Sequence, residues 1–177
     1  MVTPAQDVPG YYIWEVPGKP VAVHIRLDVV DRLAAEAMRG FGAVPKRRTE
    51  VGGVLLGTIQ DGFPAIVRVE DFEPVACDYR RGPSYQFTED DGAVFEDACQ
   101  RWQPNASPSC YAVGYFRSHT RDGFSLDVED IELLDNFFAN PSHVALLIQP
   151  YATKVSVAGF FAREDGVFPE TTPLEFP

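Results

Sequence analysis

The sequence predicts a mixed α/β sandwich, in which helices flank a sheet whose strands are joined partly through helices and partly through tight turns. Three observations predict it. Some apolar stretches alternate with period two and others recur at helical spacing; the two kinds are interleaved along the chain; and strand-like runs such as 51–59 and 64–75 are joined through a turn signal, Asp61-Gly62. The chain has 177 residues, the size of one domain able to bury a core without disulfides. A single domain over 1–177 is expected, with a core from about 20 to 165, an N-terminal extension at 1–19 and a tail or linker at 166–177.

In "VAVHIRLDV", Val21, Val23, Ile25 and Leu27 fall on one face and Ala22, His24 and Arg26 on the other, as in a half-buried strand with His24 toward solvent. "DVVDRLAAEAMRG" then places Val30, Leu33, Ala34, Ala37 and Met38 at helical spacing, with Asp28 as N-cap and Gly40 as the stop. "VGGVLLGTI" reads as a buried strand in hairpin connection with "PAIVRVEDFEPV", and Gly52 and Gly53 suggest close approach of another backbone. "TEDDGAVFEDACQRW" has the acidic first turn of a second helix with Thr88 as cap. A strand "CYAVGYF", a loop, a third helix "VEDIELLDNFFAN" and the strands "HVALLIQP" and "KVSVAGFFARE" follow.

Composition narrows the function classes. The net charge of -11 repels phosphate backbones, and neither a G-x-x-x-x-G-K-[ST] loop nor a G-x-G-x-x-G turn is present, so nucleic acid is not an expected partner. No apolar run approaches the roughly 18 residues of a membrane span, and the start lacks a secretory pattern, so a cytoplasmic location is the default expectation. Cys77, Cys99 and Cys110 show no C-x-x-C spacing and read as buried small hydrophobes. His24 and His143 have no partner spacing, and Arg80 and Arg81 read as solvated loop residues.

The chemically loaded stretch is "VGYFRSHTRDGFSLDVED", 113–130, in which His119 is followed eleven positions later by Asp130, with Glu50 placed just before "VGGVLLG". In this order of residues the chain resembles the JAMM family of zinc metallopeptidases and their inactive relatives, also called MPN or Mov34, in its bacterial form. The resemblance runs from about residue 28 to the last strand and implies the JAMM/MPN, cytidine deaminase-like architecture. The family motif is a Glu before a glycine-rich strand, then His-Ser-His-Pro, then S-x-x-D. By that resemblance His119 and Asp130 correspond to zinc ligands and Glu50 to the general acid/base, while Arg117 stands at the first histidine, Thr120 at the proline and Asp127 at the serine that helps stabilise the tetrahedral intermediate.

Each departure has a physical meaning. A catalytic zinc needs three protein ligands and an open position, and a permanently charged guanidinium cannot serve as one. Arg117 therefore removes a ligand and adds a positive charge that can pair with Asp130, Glu50 and Asp127. Asp127 can cap the third helix as well as Ser does, but an anion there repels an oxyanion. A rival reading makes Asp127 a replacement zinc ligand beside His119 and Asp130.

The function expected is thus a degenerate, non-catalytic binding or scaffold module with no cofactor, recognising a protein or an extended, ubiquitin-like peptide tail through a groove that includes Arg117, Ser118 and Thr120. A tail would be held by main-chain pairing along a strand edge. The alternative is a zinc-dependent isopeptidase, acting on ubiquitin-like or sulfur-carrier tails with a rearranged ligand set.

Overall fold

The computed structural model describes residues 10–42, 51–75, 89–105, 108–118, 125–150, 157–169, 172 and 175–176. Eight strands and three helices follow one another as β1 (Tyr11–Trp14), β2 (Val21–Arg26), α1 (Leu27–Gly42), β3 (Gly52–Gln60), β4 (Ala65–Pro74), α2 (Glu89–Arg101), β5 (Tyr111–Ser118), α3 (Val128–Phe137), β6 (Val144–Gln149), β7 (Val157–Ala162) and β8 (Glu175–Phe176). They form one mixed sheet in the order β1-β2-β4-β3-β5-β6-β7-β8. The pairs β2/β4 and β5/β6 are parallel and the others antiparallel. The α/β class and the mixed sheet agree with the sequence.

Two apolar layers sandwich this sheet. On one side Val29, Leu33 and Ala37 of α1, spaced four apart, pack with Val23, Ile25, Leu55, Val67 and Leu146. On the other, Phe95 and Ala98 of α2 and Leu133 and Leu134 of α3 pack with Val54, Leu56, Tyr115 and Leu147. Successive residues of β3 and β6 therefore serve opposite layers, which explains why both strands read as continuous apolar runs. The sheet also rolls: Trp14 of β1 meets Phe160 of β7 edge-on at 5.6 Å although five strands lie between them. Lys19 and Glu164 close the same seam at 2.6 Å.

Several boundaries differ from expectation. Residues 11–14, inside the segment read as an N-terminal extension, form β1 and pair with β2, and 175–176 in the expected tail pair with β7. Leu27 opens α1 and is 49% exposed, where the strand pattern has it buried; Asp28 lies inside the first turn and bonds Arg26 and Arg32. The helix passes Gly40 and ends at Gly42, and Met38 is 40% exposed because the buried stripe runs through Val29 and not Val30. His24 is partly buried, with its pKa lowered by that burial. The close approach expected at Gly53 is present: a Cβ there would collide with the Glu73 carbonyl.

Candidate functional site

β5 brings the first of the expected site residues into position. A bulge in its pairing with β3, between Leu55 and Leu56, resets the alternation so that Tyr115 faces the α2/α3 layer while Phe116 faces the α1 layer. Arg117 is on the same side as Tyr115, two residues on, and reaches the start of α3. Parallel pairing of β5 with β6 requires a crossover, and α3 supplies it, which brings the helix start over the end of β5.

Arg117 is fully buried and lies between two carboxylates. Its Nη2 is 3.0 Å from Asp130 Oδ2, and both Nη1 and Nη2 donate to Asp127 Oδ2 at 3.2 Å. Asp130, 1% exposed, accepts in addition from the Tyr115 hydroxyl at 3.1 Å through Oδ1 and from the Asp127 backbone N–H at 2.8 Å through Oδ2. That last bond makes Asp130 the N3 partner in the capping of α3, with Asp127 at the N-cap. Burial pushes the Asp130 carboxyl above the usual range, against the downward pull of Arg117 and of the Asp127 N–H.

Ser118 is also fully buried, and its role here is structural: its Oγ accepts from Val51 N at 2.7 Å, and its own N–H donates to the Val51 carbonyl at 2.8 Å. These bonds tie the end of β5 to the residue that follows Glu50. Glu50, His119 and Thr120 lie outside the described residues, as do Cys77, Arg80, Arg81 and Thr88. Arg117, Ser118, Asp127 and Asp130 are brought together around the end of β5; of these four, Asp127 has the most exposed side chain, at 23%.

The described donors do not suit a divalent cation. Asp130 Oδ2 faces a guanidinium 3.0 Å away, and Oδ1 is occupied by a phenolic donor, so a metal bound there would meet a fixed positive charge at contact distance. Among the described residues no group of three His, Cys, Asp or Glu side chains could hold a metal ion. Among the described residues β3 is paired with β4 and β5, and β5 with β3 and β6, so neither of these two central strands offers an unpaired side to a tail.

Tyr115 is the member that the sequence reading missed. Its place two residues before Arg117, on the same strand face, was the available signal, obscured because "CYAVGYF" is apolar throughout. Of the cysteines, Cys99 is buried with its thiol pushed up to about 12 by burial, as an inert small hydrophobe should be, and Cys110 is partly buried with its pKa raised. No described helix is long and apolar enough to cross a membrane.

No family profile and no curated protein matches the chain. Among solved structures it is similar to protein DSY2949 from Desulfitobacterium hafniense, at 21% identity over 86% of this chain and 90% of that one, with a TM-score of 0.53. A Salinibacter ruber protein matches at 21% identity over 86% and 95%, TM-score 0.44. The STIL N-terminal domain of Trichoplax adhaerens matches at 9% identity over 80% and 42%, TM-score 0.42. The first likeness speaks to the fold alone.

Proposed function

We propose that the chain is a non-catalytic, JAMM-like binding or scaffold module that recognises a protein or an extended peptide tail. The observation that carries this reading is the buried Arg117 between Asp127 and Asp130. In a zinc peptidase a dication would balance the ligand carboxylate and lower the pKa of its bound water. Here a side chain balances the carboxylates, and a guanidinium supplies neither a coordination position nor a hydroxide. Asp127 further opposes acyl-transfer chemistry, because its carboxylate offers no proton to a developing oxyanion.

In this reading the tail meets the first turn of α3, where Val128 is 70% exposed beside Asp127 and Glu129. The chain's net negative charge leaves phosphate-rich partners disfavoured.

A sulfur-carrier tail peptide with further residues joined after its Gly-Gly, titrated into isotope-labelled protein, is expected to shift the amide signals of Val128 and Glu129 and to keep the bond after Gly-Gly intact when zinc is added. Cleavage that disappears in Glu50→Gln would replace this reading with the peptidase. A peptide that leaves the α3 turn unshifted would remove the tail as its ligand.

A further inference from the structure

At the other end of β5, roughly 16 Å from Arg117 at about 3.3 Å per residue, the C-terminal ends of α2 and α3 border a cleft of about 340 Å³. That volume is within the range of small-molecule pockets. Trp102 and Phe137 supply aromatic walls, and His143, Gln103 and Asn140 supply polar atoms. Trp102 is oriented from behind, its Nε1 donating to Glu73 at 2.7 Å, and His143 is held edge-on against Phe138 at 5.4 Å.

Among the described residues, the lining contains no acidic or basic side chain other than that histidine. Burial pushes the imidazole down to about 4, so it is uncharged at neutral pH. An uncharged lining is notable in a chain of net charge -11, and another wide cleft, near Gly62, has Arg163, Glu164 and Asp165 in its lining. The two amides are half used: Gln103 Nε2 donates to the Cys99 carbonyl at 3.1 Å, and Asn140 Oδ1 accepts from Ser142 N at 2.9 Å. The Gln103 oxygen and the Asn140 nitrogen remain as one acceptor and one donor beside aromatic surface.

We infer that this cleft is a second binding site, for a small uncharged planar aromatic molecule whose edge carries both a hydrogen-bond donor and an acceptor, as a free nucleobase or an aromatic carboxamide does. Aromatic walls would hold the ring faces and the two amides would read the edge. Phosphorylated forms are disfavoured, because the described lining holds no cationic side chain and the neighbouring Arg163 is engaged with the Asn140 and Leu134 carbonyls.

Adenine and nicotinamide are the probes, with benzoate as the charged control, and the readouts are tryptophan fluorescence and the His143 ring signals. The chain has two tryptophans and Trp14 is 1% exposed, so Trp102 is the one positioned to report. Saturable binding of at least one neutral probe is expected, with Kd at least tenfold lower than for benzoate. Gln103→Leu, at an exposed position that leaves the fold intact, should raise that Kd about tenfold. The two probes distinguish a base from a carboxamide. Failure of both neutral probes to saturate, benzoate binding equally tightly, or an unchanged Kd in Gln103→Leu would each overturn the assignment.

Discussion

Arg117 and Asp130 are almost wholly removed from water, so neither charge is tolerable without the other. Truncating one partner of such a pair costs about 3–5 kcal/mol, because the remaining charge stays buried. Arg117→Met should therefore lower stability by about that amount at neutral pH in urea unfolding, and the deficit should shrink in acid as Asp130 takes a proton. The double variant Arg117→Met/Asp130→Asn should recover most of the loss; two additive single losses would show that the pair is not coupled. His143 acts with the opposite sign. Its pKa is lowered from 6.5 to about 4 by burial, so the unfolded chain binds the proton more readily. Its stabilising contribution is complete above about pH 6.5 and is lost as pH falls toward 4, about 3 kcal/mol in all. Urea midpoints between pH 7 and 4.5 should fall, and should fall less in His143→Phe. An equal fall in both would assign the acid sensitivity to other groups.

Among the elements, α3 carries the candidate site and is fixed at both ends by arginines, one in β5 and one just after β7. Arg117 holds its first turn; Arg163, after β7, donates to the Leu134 carbonyl at 3.2 Å and the Asn140 carbonyl at 3.0 Å while lying over Phe168 at 4.6 Å. Its side chain is 9% exposed, and charged donors to carbonyls contribute about 1.5–3 kcal/mol each. Arg163→Met should lower the thermal midpoint by the equivalent of about 2 kcal/mol; a surface-like change under about 0.5 kcal/mol would refute the anchoring role. In the centre of the sheet, a Cβ at Gly57 would collide with the Arg68 carbonyl beside the bulge at Leu56/Gly57, and one at Gly114 with that of Val144. Gly57→Ala should cost about 3 kcal/mol, an overpacking the backbone can relieve only by shifting a strand; a neutral substitution would show that the ladder yields there.

Over the whole molecule, the α/β class and the strands from β2 to β7 were legible because period-two and period-3.6 patterns differ plainly in "VAVHIRL" and "VVDRLAAEAM". The edges were not. β1 is only four residues long, and its Trp14 finds its partner Phe160 146 positions away, a contact created by the roll of the sheet that no local pattern encodes. Leu27 shows the same limit in miniature: alternation continued one residue beyond the strand because the helix began there instead. At the site, the resemblance to the JAMM motif singled out Asp130, and charge balance pointed to its pairing with Arg117, a local argument about groups that must meet. Tyr115 and the pairing of β5 on both sides were hidden, since they depend on the bulge and on the order of strands in the sheet.

The central claim is that Arg117 occupies, electrostatically, the place of a metal. Elemental analysis of zinc in protein purified without chelator or affinity-tag metal tests it most directly, with Arg117→His in parallel. The account predicts no stoichiometric zinc in the native chain and about one zinc per chain in the histidine variant, because imidazole restores the missing ligand while the charge that repels the ion is removed. Stoichiometric zinc in the native chain would contradict it.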